Sequence, residues 1–126
     1  MTDDTSRQLP LVCIFRQGRY LIATIHAALD DGQLTRFQRD LVEQIGREHS
    51  DGVIIDLTAV DVLDSFATRT LRNLASMAGL RGASTVMVGI HPDVALAMAR
   101  LGMHPDIAPT AADLDDGLAL LDELTV

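Results

Sequence analysis

The stretch from Val53 to Ala78, VIIDLTAVDVLDSFATRTLRNLASMA, constrains the fold more than any other part of the chain. It begins with Val53-Ile54-Ile55-Asp56-Leu57, a short apolar run rich in β-branched side chains, which suits a strand covered on both faces. It ends with Ala67, Leu71, Leu74, Ala75 and Ala78, whose spacing collects apolar groups on one side of a 3.6-residue turn and predicts a helix. Asp61-Val62-Leu63-Asp64-Ser65 must therefore carry the chain from the carboxyl end of a strand into a helix. Ser65 falls at or next to the N-cap, where unpaired backbone N–H groups favour negative charge. Two readings follow. Either Ser65, or Asp64 beside it, only caps the helix, or Ser65 presents its hydroxyl at the edge where α/β sheets place functional groups.

The flanking segments repeat the same alternation. Leu9 to Phe15 and Tyr20 to Ile25 are β-rich runs separated by Arg16-Gln17-Gly18-Arg19, which predicts an antiparallel hairpin. Pro10 fits only near a strand start or an edge, so the hairpin belongs at the border of a sheet. Asp30-Asp31-Gly32 supplies capping chemistry before a helix with Leu34, Phe37, Leu41 and Ile45 on one stripe. Gly79 and Gly82 mark a turn, and Ser84 to Val88 reads as another buried strand. Gly89-Ile90-His91-Pro92-Asp93 is a second strand-to-helix junction, with Pro92 in the first helical turn. Val94, Ala97, Met98 and Leu101 continue that helix and Gly102 ends it. Pro105 to Pro109 is a candidate edge strand. Thr110, helped by Asp113, is expected to cap a last helix with Leu114, Leu118 and Leu121 on its apolar side. Strands alternating with helices after an opening hairpin imply an α/β sheet with right-handed parallel crossovers.

With 126 residues the chain has room for a single domain. No run approaches the length of a membrane helix, and Met1 to Gln8 is a polar segment without the features of a signal or transit peptide, so a cytoplasmic protein is expected. A net charge of −8 argues against nucleic acid as a partner, because phosphate backbones are bound through Lys and Arg. The single cysteine, Cys13, sits in an apolar run and reads as a core residue. His26, His49, His91 and His104 show no metal-ligand spacing, and the glycines match neither the Walker nor the dinucleotide pattern. Neither a metal nor any other cofactor is expected, and any phosphate must come from a partner.

The string DLTAVDVLDSFATR resembles the phosphorylation-site segment of STAS domains, the anti-anti-sigma family. Asp56-Leu57-Thr58 matches the strand-ending pattern of that family, and Asp64-Ser65 its Asp-Ser pair opening a helix. LDDGQLTRFQRDLVEQI is similar to the first helix of the RsbS branch, and the Gly-Ile-x-Pro of Gly89 to Pro92 resembles the STAS proteins of stressosomes. The resemblance runs from about Leu9 onward and implies a polar tail over residues 1–8. Residues 9–126 would then form one STAS domain with a mixed sheet and helices packed over one face. It further implies that Ser65 is the acceptor of an RsbT-like serine kinase, held while Ser65 is bare and released once it is phosphorylated. Asp61, Asp64, Phe66, Arg69 and His91 would form the docking surface around it. RsbR-like STAS paralogues would be partners in a large homo- or hetero-oligomer. An acceptor Ser rather than Thr, no Ser or Thr between Val86 and Leu101, and no N-terminal sensor domain favour the RsbS branch over the RsbR one.

Two alternatives remain at this stage. A free-standing anti-sigma factor antagonist would carry Asp-Ser-Ser-Gly where this chain has Asp64-Ser65-Phe66-Ala67. A serine hydrolase using Ser65 and His91 is chemically conceivable, but the Gly-x-Ser-x-Gly elbow that exposes such a nucleophile is missing.

Overall fold

The computed structural model describes residues 11–103 and 108–125. The expected tail over residues 1–8, together with Leu9 and Pro10, lies outside them, as does most of the candidate strand at Pro105 to Pro109. The elements run β1 (Val12–Gln17), β2 (Tyr20–Ile25), α1 (Asp31–Glu48), β3 (Gly52–Asp56), α2 (Ser65–Leu80), β4 (Ser84–Val88), α3 (Pro92–Arg100), β5 (Thr110–Ala111) and α4 (Leu114–Leu124).

The five strands form one sheet in the order β1-β2-β3-β4-β5. The hairpin is antiparallel, with Val12 opposite Ile25 and Gln17 opposite Tyr20, and every later pairing is parallel. Its turn places Gly18 at φ 61, a left-handed conformation that glycine reaches without steric cost. As the terminal strand, β1 lies at the border of the sheet, and Cys13 on it is half-buried rather than part of the core.

Alternation along the strands divides the core in two. Leu21, Ala23, Val53, Ile55 and Met87 point to one face and pack with Phe37, Leu41 and Ile45 of α1, Leu71 and Leu74 of α2, and Val94 and Met98 of α3. Tyr20, Ile22, Ile54, Val86 and Val88 point to the other face and meet Leu121 of α4. Because strands β2 to β5 succeed one another in a single direction, right-handed crossovers put their three connecting helices on the same side. The expectation of helices over one face thus holds for α1, α2 and α3, while α4, which follows the last strand, folds back over the opposite face. Every apolar residue of β3 is therefore covered, as its uninterrupted apolar run required.

The helix ends follow their capping chemistry. Asp30 caps α1 through its side chain, which accepts from the amide of Gln33, and the Gln33 side chain returns the bond to Asp30 N in a capping box. The cap of α4 is Asp113 and not Thr110: Asp113 Oδ1 accepts from Asp116 N at 2.9 Å, whereas Thr110 is drawn into the ladder opposite Met87. Met103 N bonds to Met98 O, and Gly102 at φ 88 lets the chain leave α3.

Candidate functional site

Four parallel strands, β2 to β5, end at one edge of the sheet, and the segments that leave β3 and β4 there are tied together. Leu57 N donates to Val88 O at 2.9 Å, which extends the β3–β4 pairing one step past the strands. Asp56 Oδ1 then accepts from both the amide of Thr58, at 2.9 Å, and its hydroxyl, at 2.6 Å, closing a turn with Asp56 side-chain atoms in place of backbone. Opposite it, Gly89 has φ 71 and sits so close to Thr58 that a Cβ there would overlap the threonine hydroxyl. The glycine is thus required twice, for its backbone angle and for the approach of the two loops.

His91 is exposed and forms the N-cap position of α3 without a side-chain cap bond. Its ring is engaged elsewhere: Nε2 lies 2.6 Å from the carbonyl oxygen of Thr58. A carbonyl only accepts, so Nε2 carries the proton in this contact. That orientation turns His91 into a tether between the loops. It does not make Nε2 a base for Ser65, because a nitrogen that donates has no lone pair to take a proton.

At the start of α2 the two adjacent residues of the Asp-Ser pair have different surroundings. Asp64 is the N-cap, with extended backbone, and its Oδ1 accepts from Ala67 N at 2.8 Å. Ser65 is the first helical residue and is exposed. Capping therefore belongs to Asp64, and the Ser65 hydroxyl stands beside the positive end of a 16-residue helix. Asp61 and Arg69 are exposed as well, and Phe66 is half-buried, off the stripe of Ala67, Leu71, Leu74, Ala75 and Ala78 that faces the sheet.

One residue of this surface was not picked out from the sequence. Val62, between Asp61 and Asp64, is 65% exposed, an apolar side chain held out in front of the helix start. Its signal was present as an aliphatic residue inside a polar connection. A small pocket of about 80 Å³ opens beside it, walled by Ile25, Leu29, Leu57, Val60, Val62 and Leu63. Among the described residues no cluster of His, Cys, Asp or Glu is arranged to hold a metal ion. No helix of the described chain is long and apolar enough to cross a membrane.

A five-stranded mixed sheet with an exposed serine opening the helix after its central strand defines a small single α/β domain. The STAS domain model matches residues 14–117, and the chain belongs to that family. Among solved structures it is similar to RsbS of Moorella thermoacetica in a serine-to-glutamate variant. That similarity has 32% identity and a TM-score of 0.81, over 90% of this chain and 96% of that one. It is also similar to a chain of the stressosome, described as a signal integration and transduction hub, with 30% identity and a TM-score of 0.74 over 89% of this chain and 97% of that one. A curated relative, the RsbT co-antagonist protein RsbRA of Bacillus subtilis (strain 168), is 24% identical over 116 residues, which are 92% of this chain. The chain spans only 42% of that relative's length.

Proposed function

We propose that this STAS domain is an RsbS-like component of a stressosome, and that it binds a serine kinase of the RsbT type and releases it once Ser65 is phosphorylated. The observation that carries the reading is the division of roles at the start of α2. Asp64 Oδ1 is occupied by the helix amide of Ala67, which leaves the neighbouring Ser65 exposed. Support also comes from relatives named for RsbT co-antagonism and for the stressosome, and from an RsbS relative in which a serine is exchanged for a charged glutamate.

The chemistry is electrostatic. Phosphorylation adds about −1.5 to −2 charges and three acceptor oxygens at pH 7. A helix N-terminus favours such a charge by roughly 0.3–1 kcal/mol at an exposed site, while Asp61 and Asp64 oppose it. The two effects offset each other, so the domain keeps its fold and the new charge acts on whatever is docked. Asp61, Phe66, Arg69 and His91 form that docking surface with Val62, and ATP and the catalytic base lie on the kinase. One unfavourable interfacial charge of about 1.4 kcal/mol is a tenfold change in affinity.

Incubation with an RsbT-like kinase and ATP, followed by mass spectrometry, tests the assignment: phosphate is expected on Ser65 and absent from Ser65→Ala. Label on another residue, with none on Ser65, overturns it. Co-elution with RsbR-like paralogues as a very large particle separates the scaffold role from that of a free-standing anti-sigma antagonist, which would give a small one-to-one complex.

A further inference from the structure

Arg69 stands one helical turn after Ser65 on α2, and both residues are exposed. Positions i and i+4 of a helix share a face, with Cβ atoms about 5–6 Å apart. Each Cα–Cβ bond also leans toward the helix N-terminus, so a long side chain at i+4 reaches back over position i. The other cations of this helix are directed elsewhere. Arg72 lies against Gly102 at the end of α3, its Nη1 3.6 Å from where a Cβ on that glycine would stand. Arg81 packs against Gly46 of α1. Arg16, Arg19 and Arg39 each have a carboxylate within 4 Å, whereas Arg69 has none among the described residues. The nearest acid before Ser65 is also engaged, since Asp64 Oδ1 holds the Ala67 amide.

We infer that Arg69 is the group that takes up the phosphate on Ser65, so that modification both adds an anion and withdraws this cation from the docking surface. The inference rests on Ser65 being the modified residue, as proposed above. An anion at i with a cation at i+4 is the favourable order on a helix, because each then lies toward the oppositely charged end. A guanidinium also offers two parallel N–H donors that match two phosphate oxygens. Among the described residues, the other charged groups assigned to the docking surface offer no equivalent. Asp61 and Asp64 repel a phosphate, and His91, from the loop after β4, directs Nε2 to the Thr58 carbonyl.

The consequence is a switch with two parts. A partner docking on the unmodified protein meets a free arginine. The same partner meets a phosphate with that arginine folded onto it after modification, and so loses an attraction as it gains a repulsion. The ratio of affinities between the two forms therefore exceeds what the phosphate charge alone would produce.

The test installs phosphoserine at position 65 during translation, with no kinase present, in the otherwise unchanged protein and in Arg69→Gln and Arg69→Lys. Phosphorus NMR then follows the second ionisation of the phosphate. With Arg69 in place the phosphate is expected to lose its proton at a pH lower by about a few tenths than in Arg69→Gln, with Arg69→Lys between them. The gap should shrink at high salt. Coincident titrations in all three proteins overturn the inference. Because no kinase takes part, that failure is distinct from a failure of Ser65 to be labelled, which would count against the proposed function and leave the arginine pairing as measured.

Discussion

The Nε2 of His91 lies 2.6 Å from the carbonyl oxygen of Thr58, so the segments that follow β3 and β4 are held to each other at the carboxyl ends of those strands. The approach that permits this contact depends on Gly89, whose backbone is left-handed and whose missing side chain makes room for Thr58. Ser65 is thus presented from an edge that the fold has stiffened through residues distant from it in the chain.

Gly89→Ala should be the most damaging small substitution at this edge. It combines a left-handed non-glycine residue with an overlap on Thr58, for a loss of about 1–3 kcal/mol. Urea unfolding of the variant should show an earlier midpoint with an unchanged slope, and a midpoint equal to wild type would show that the loops separate freely.

Asp64→Ala removes the side-chain oxygen bonded to the Ala67 amide at the start of α2, and should cost about 0.5–2 kcal/mol. Asp64→Asn keeps an acceptor and should recover most of that. The companion change Ser65→Ala should leave stability within about 0.5 kcal/mol of wild type, because Ser65 is exposed and is not the cap. A larger loss in Ser65→Ala than in Asp64→Ala, read by thermal or denaturant unfolding, would reverse the assignment of the cap.

Ser65→Ala is expected to bind an RsbT-like kinase as wild type does and to resist labelling, while Ser65→Asp binds about tenfold more weakly. Calorimetric titration of the kinase with each variant provides the comparison. Equal affinities for wild type, Ser65→Asp and the phosphorylated protein would remove the basis for release by charge.

Leu121→Ala should cost about 2–5 kcal/mol, since Leu121 is fully buried and packs with Tyr20, Ile22, Ile54, Val86 and Val88 under α4. Hydrogen exchange should show the loss concentrated in α4 and the nearby strand residues, with α2 protected as before. Uniform loss across the domain would mean that the two halves of the core unfold as one unit.

Much of this domain could be read from local pattern. The apolar run at Val53 to Leu57 suited a strand covered on both sides, the stripe from Ala67 to Ala78 matched a helix, and the Asp-Ser pair at their junction was placed near a helix start. These features depend on neighbours in the chain, and short-range chemistry specifies them. What remained open depended on competition between distant groups. Both Thr110 and Asp113 are capable caps, and the choice fell to Asp113 because Thr110 pairs with Met87 across the sheet. The stripe of Leu114, Leu118 and Leu121 announced an amphipathic helix without saying which surface it would cover. That was settled when three right-handed crossovers filled one face and left Ile22, Ile54, Val86 and Val88 exposed to be buried by α4. Likewise, no local rule brings Gly89 against Thr58 or His91 onto its carbonyl, since only the parallel pairing of β3 with β4 places those two strand ends side by side. The sequence by itself thus determined the elements other than the short β5, which it did not place at Thr110–Ala111, and the serine at the β3–α2 junction. The packing of the sheet decided which face each helix covers and which side chains share the edge around Ser65, because those outcomes depend on which surfaces are still unburied when the strands have paired.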